Sequence, residues 1–163
     1  MKNKKNVQVL LSSDLIKYSK QMGIMDCEIP ELVFDYKEFE AKDKETEDRL
    51  GLDIRDSRQK HLLGMSSISR RMILVRLDRT PKMTWKVTKR TRKYIEKSRV
   101  PYGLREARNT LVHELVHYRF PYMSHGAKFE ERIKDIIYRG KEFPAKHLPS
   151  PEIINYRLSR GGC

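Results

Sequence analysis

The segment from Thr110 to Ile133 reads TLVHELVHYRFPYMSHGAKFEERI and holds three of the chain's five histidines within thirteen positions. His113 and His117 stand four apart, so on a helix of about 3.6 residues per turn both imidazoles leave one face, within reach of a single ion. Glu114 follows His113 directly. That places a carboxylate beside the ion, where a general base must stand to take a proton from water activated by a metal. Zinc suits imidazole ligands better than calcium or magnesium, which prefer oxygen. In a chain with five His, an HExxH arises by chance in roughly one sequence in a hundred, and here uncharged Leu111, Val112, Leu115 and Val116 surround it.

A catalytic zinc normally takes three protein ligands and keeps one position open. His125 is the expected third, because Pro121 breaks the helix near Phe120 and lets the chain fold back. Gly126 relaxes the backbone directly after it. Glu130 or Glu131, on the next helix, is the rival third ligand. Two blander arrangements compete with a catalytic site: a pair of hydrogen-bonded surface histidines, or a structural zinc, which would be closed by four ligands and have no use for Glu114. His61 and His147 stand alone and read as surface or capping residues.

Working outward, the spacing of Leu104, Ala107, Leu111, Leu115 and Tyr118 predicts one apolar stripe on the helix that carries the motif. A following helix, Ala127 to Arg139, puts Phe129, Ile133, Ile136 and Ile137 on one side and closes at Gly140. Upstream, RMILVRLD (Arg71 to Asp78) reads as a half-buried strand, and ELVFDY (Glu31 to Tyr36) as another. KEFEAKDKETEDRL, after it, reads as a solvated connector or short exposed helix. A short helix is expected from Asp14 to Met22, capped by Ser12 or Ser13 and ended by Gly23. The stretch Thr84 to Arg99 is compatible with a weakly amphipathic helix. The tail from Lys141, with Pro144, Pro149 and Pro151, should wrap the surface with little regular structure; His147 and Cys163 within it are two further groups able to bind zinc.

At 163 residues with 38% hydrophobic content, the chain fits a single domain spanning 1–163. Its longest apolar runs fall short of a membrane span and of a signal peptide's apolar region, so a soluble, cytoplasmic protein is expected. Cys27 and Cys163, the only cysteines, suggest no disulfide framework. The net charge of +13 is uneven: residues 70–108 hold 14 Lys or Arg against three acids, whereas 26–58 hold 12 acids against six bases. Such a basic block attracts polyanions, and makes DNA, RNA or a ribonucleoprotein a candidate partner, with Lys89, Arg90, Arg92 and Lys93 as contact residues.

HELVH followed by HGAKF resembles the SprT-like, WLM and YgjP-type group of zinc metallopeptidases, whose motif is HExxH, a variable loop, a third His and an aromatic a few positions later. Here those are His125 and Phe129, and LLGMSSISRRMILVRL is similar to the group's strand leading into the active-site helix. The resemblance covers roughly Leu62 to Tyr138; the first 60 residues carry none of it. The eight-residue spacing from His117 to His125, and Phe120 where a glycine would be needed, set the chain apart from metzincins.

The resemblance implies an α+β, compact, single-domain zincin-like fold: a small, mainly antiparallel sheet on the HExxH helix, with a second helix after it. It also implies a zinc metallopeptidase with Glu114 as general base and His113, His117 and His125 as ligands. Its substrate would be a protein or peptide, with proteins associated with nucleic acid as one class, lying along RMILVRLD as a template strand. Oxyanion help would come from Tyr102, Tyr118, Arg119 or Tyr122. The competing reading is a nucleic-acid or ribosome-binding protein on a peptidase scaffold, zinc-bound but not proteolytic.

Overall fold

The computed structural model describes residues 4–42, 63–68, 70–77 and 103–148, together with the backbone of 81–88 and 91–99. It is an α+β structure in which four helices accompany a three-stranded sheet and a separate two-stranded one. The helices are α1 (Lys4–Gln21), a short α2 over 36–42, α3 (Leu104–Arg119) and α4 (Ala127–Ile137). The strands are β1 (Glu31–Val33), β2 (Gly64–Ser67), β3 (Met72–Val75), β4 (Pro81–Thr88) and β5 (Thr91–Arg99).

β3 is the centre of the main sheet, flanked by β1 in parallel and β2 in antiparallel. Its sequence suggests half-burial, but all four of its residues are buried. Alternation along a strand sends Ile73 and Val75 into the large core beneath α1 and α3, and Met72 and Leu74 to the opposite face. On that opposite face Val33 of β1 and Phe39 of α2 join them; the segment expected to be a solvated connector or short exposed helix begins as a helix, and it buries an aromatic ring. Parallel pairing of Leu32 with Ile73 and Val33 with Leu74 keeps the two strands in phase with both cores.

Three boundaries differ from expectation for local reasons. α1 begins at Lys4 rather than near Asp14, because Val7, Leu11, Leu15, Tyr18 and Met22 form one continuous buried stripe. Ser12, expected to cap it, lies inside it and donates to the Gln8 carbonyl at 2.9 Å. The strand expected over Glu31 to Tyr36 ends at Val33, because the Asp35 carboxylate accepts the Glu38 N–H at 2.9 Å and caps α2. Thr84 to Arg99, expected to be helical, belongs to an antiparallel hairpin of β4 and β5, with Trp85 opposite Tyr94 and Val87 opposite Arg92. Lys89 and Arg90 lie outside the described residues.

α3 touches α1, β2, β3 and α4, which makes it the element around which the site is assembled. Its predicted stripe holds: Ala107, Leu111, Leu115 and Tyr118 are buried and Leu104 packs at the margin. The Glu106 carboxylate accepts the Gly103 N–H at 3.1 Å at its start. Arg108 pairs with Asp14 of α1 at 2.7 Å, and the Tyr118 hydroxyl donates to the buried Glu28 carbonyl at 2.7 Å.

The tail follows α4 as an irregular strap over 141–148, as its prolines suggest. It is fastened to the end of α1: Phe143 N–H donates to the Gln21 carbonyl at 2.8 Å and Lys146 N–H to the Gly23 carbonyl at 3.0 Å. Gly23 has φ +72, and a Cβ there would run into the Pro144 carbonyl, so both the helix end and the strap need glycine. Among the described residues no helix is long and apolar enough to cross a membrane.

Candidate metal centre

His113 and His117 leave α3 one turn apart, as their spacing requires. The chain then breaks at Pro121, turns through a Met123 N–H to Phe120 carbonyl bond of 3.0 Å, and returns His125 to the same point. The Nε2 atoms of the three rings stand 3.2 Å (His113 to His117), 2.8 Å (His117 to His125) and 3.2 Å (His113 to His125) apart. Nitrogens bound to one tetrahedral ion at about 2.0–2.1 Å would stand about 3.3 Å apart, so the triangle is close to that of a metal site. The three side chains form a group that could hold a metal ion.

Two devices hold the triangle. Phe129 of α4 is fully buried, with its ring centroid 4.8, 4.5 and 5.0 Å from those of His113, His117 and His125, so one aromatic side chain braces all three imidazoles. Gly126, at φ 154 and ψ −167, occupies a conformation that is essentially glycine's alone, and it turns the chain from His125 into α4. Its carbonyl accepts the Glu130 N–H at 3.0 Å. The rival ligands do not join the group. Glu131 pairs with Arg139, and Glu130 lies exposed on α4, close enough to His113 to act on its charge.

Burial favours the uncharged form of both helical histidines. It holds His117 down at about 4, with the neighbouring His113 and His125 adding to the effect. His113 is lowered by burial and by His125, against a smaller opposing pull from Glu130. Neutral imidazole is the form that binds a metal. Glu114 is buried too, and burial pushes its carboxyl up to about 8. A divalent cation beside it would favour the carboxylate instead.

Glu114 owes its placement to a glycine on β2. A Cβ at Gly64 would meet Thr110 Cγ2 at 2.6 Å and Glu114 Cγ at 2.9 Å, so only glycine lets the strand lie this close to α3. β2 is an edge of the three-stranded sheet, and its Gly64, Met65 and Ser66 wall a cavity of about 340 Å³ that also exposes His113, Glu114, His117 and His125. RMILVRLD, expected to be the template strand, is β3 in the middle of the sheet; among the described residues β1 and β2 are its two edges, and β2 is the one that lines the cavity. Gly64 sits between the HLL run and two serines. That signal marks a bend, but not a close approach to a helix that begins about 40 residues later.

The oxyanion candidates separate cleanly. Tyr118 is buried with its hydroxyl spent on Glu28, and burial raises its pKa to about 12. Arg119 donates to the Met22 carbonyl at 2.9 Å and stacks on Phe120, so it is a structural side chain. Tyr122 is exposed on the wall of a second, larger cavity that also touches His125; Tyr102 lies outside the described residues. His147 points its Nδ1 at Glu28 Oε1, 3.2 Å away, and is not among the three converging histidines. Cys27 is exposed and free; Cys163 and His61 lie outside the described residues.

Arg92 and Lys93 stand on β5, and the hairpin register sets Lys93 opposite Lys86 and Lys97 opposite Lys82. Part of the basic block thus falls on one two-stranded element. Compared with known proteins, the chain matches no family model, no curated protein and no solved structure, which leaves the geometry of the site as the basis for its function.

Proposed function

We propose that the protein is a zinc-dependent metallopeptidase of zincin-like architecture. The observation that carries this reading is the convergence of three imidazole Nε2 atoms within 3.2 Å of one another, in a cavity that Glu114 also lines. Zinc is the metal of choice because the donors are all nitrogen and three of them leave a tetrahedral ion one open position. Held by His113, His117 and His125, a zinc ion would supply a Lewis acid and would lower the pKa of a water to about 7. Glu114 takes the proton that the water gives up when it adds to the peptide carbonyl, then delivers it to the departing amine. β2, an edge strand among the described residues, would pair with an extended substrate lying across the histidine triangle. Tyr122, which lines the cavity beside His125, is a candidate donor for the developing oxyanion, and Tyr118 and Arg119 are held by other partners.

The test joins composition to turnover. Purified protein should carry about one zinc per chain, and Glu114→Gln should keep the zinc while losing peptide cleavage. A metal-free protein that takes up no added zinc, or a Glu114→Gln variant as active as wild type, overturns the proposal.

The competing reading, a nucleic-acid or ribosome-binding protein with no proteolytic role, draws on the hairpin. Lys82, Lys86, Lys93 and Lys97 stand at facing register positions of the hairpin, a density of basic residues that suits a polyanion. It predicts polyanion binding that weakens steeply with salt, and no cleavage at any zinc loading.

A further inference from the structure

Resting on the peptidase reading, we infer that the enzyme selects substrates with an acidic side chain, glutamate above all, flanking the cleaved bond, and that Lys128 and Lys146 read it. The larger of the two cavities at the metal centre has a volume of about 810 Å³ and lies between the loop 119–128 and the strap residues 146–148. It shares Pro121 and His125 with the smaller cavity that holds Glu114 and the β2 edge. An extended chain laid across the histidines therefore runs from one cavity into the other, and the larger one receives side chains from one side of the bond.

The charge of that cavity is one-signed. Arg119, Lys128, Lys146 and His147 line it, and no Asp or Glu does. The three cationic side chains, Arg119, Lys128 and Lys146, are not equivalent. Arg119 is spent on the Met22 carbonyl and the Phe120 ring. His147 faces Glu28, a buried carboxylate that also accepts the Leu148 N–H at 3.0 Å. Lys128 and Lys146 are exposed, and among the described residues neither ammonium has a carboxylate partner. Between them the walls are apolar where Pro121, Met123 and Leu148 contribute. A side chain with a short aliphatic stem and a carboxylate head matches both features: its methylenes lie on the apolar wall and its charge meets the two lysines.

The strap contributes half of this arrangement. Lys146 is fixed by its own N–H to the Gly23 carbonyl, and the neighbouring His147 and Leu148 by Glu28. The ammonium is thus carried on an anchored backbone rather than on a loose tail.

The experiment uses the full zinc-loaded chain and a set of extended peptides identical except for Glu, Gln or Lys at each position beside the cleaved bond. Wild type should cleave the best-placed Glu peptide with kcat/KM about fivefold or more above its Gln counterpart, with Lys below both. The doubly substituted Lys128→Glu, Lys146→Glu protein should reverse that order, and Lys128→Gln, Lys146→Gln should flatten it, each with zinc content unchanged. Equal cleavage of Glu, Gln and Lys peptides by wild type, or an unchanged order in the charge-reversed protein, overturns the inference and leaves the peptidase reading standing. A zinc-loaded wild type that cleaves no peptide of any charge overturns both.

Discussion

The segment from His113 to Phe129 and the hairpin from Pro81 to Arg99 are similar in length, and each concentrates one kind of ion-binding side chain. The first places three ring nitrogens within 3.2 Å, braces them with Phe129 and fixes the return of the chain at Gly126. The second collects eight Lys or Arg against the single acid Glu96 and sets lysines opposite lysines. The first would bind by geometry and the second by field. A three-ligand metal site fails when any one member moves, whereas a charged surface weakens gradually as charges are removed. The two regions should therefore respond to mutation very differently.

The largest separation is expected at Glu114. Glu114→Gln should lower peptide turnover by about 100-fold or more at full zinc occupancy, as removal of a general base does. Charge reversal at Lys89, Arg90, Arg92 and Lys93 should leave turnover of a small peptide unchanged. Elemental analysis beside a peptide assay on both proteins checks the contrast, and equal reductions in the two would erase it.

Next come changes beneath the site. Leu111→Ala removes a fully buried side chain from the helix that carries the motif and should cost about 2–5 kcal/mol in denaturant unfolding. Gly64→Val drives a side chain into Thr110 and Glu114 and should cost about 1–3 kcal/mol, with turnover falling further than stability because Glu114 is displaced. A Gly64→Val protein with normal activity would show that the β2 edge does not set the position of Glu114.

Gly126→Ala imposes a conformation that alanine avoids, with an expected cost of about 1–3 kcal/mol that emerges as weaker zinc retention under chelator competition. The smallest effect on folding belongs to the hairpin: the fourfold charge reversal should change stability by less than about 0.5 kcal/mol. Its signature lies in binding. The slope of log affinity for DNA or RNA against log salt should shrink by about 0.7–0.9 for each phosphate that the variant no longer neutralises. A slope that does not move would remove these four residues from any interface.

Legibility follows the same divide. The metal group is readable because helical geometry converts a spacing of four into adjacency, and because Pro121 and Gly126 announce where the chain turns back. Nearness in sequence and the suitability of imidazole for zinc favour His125 over Glu130 and Glu131, and the structure brings its ring to the other two histidines. The hairpin is hidden because eight charges conceal the alternation of Met83, Trp85 and Val87 with Lys82, Thr84 and Lys86, a period of two. The first half of α1 is hidden because Asn6 and Gln8 interrupt an apolar run whose 3.6-residue phase shows only when extended to Met22. The depth of β3 and the edge position of β2 are properties of strand order, and no local pattern carries strand order. The cationic cavity joins residues 119–128 to 146–148, a juxtaposition created only when the strap reaches the end of α1.

The two tethers of that strap also reach across the described chain. α1 is the first described element to leave the ribosome and 141–148 the last, and the hydrogen bonds from Phe143 to Gln21 and from Lys146 to Gly23 join them across the whole intervening chain. Without the strap, the Gln21 and Gly23 carbonyls lose these partners and the larger cavity beside His125 lacks one wall. The three histidines converge within the single stretch from α3 to Gly126, whereas that cavity is complete only when the two distant ends of the described chain are joined.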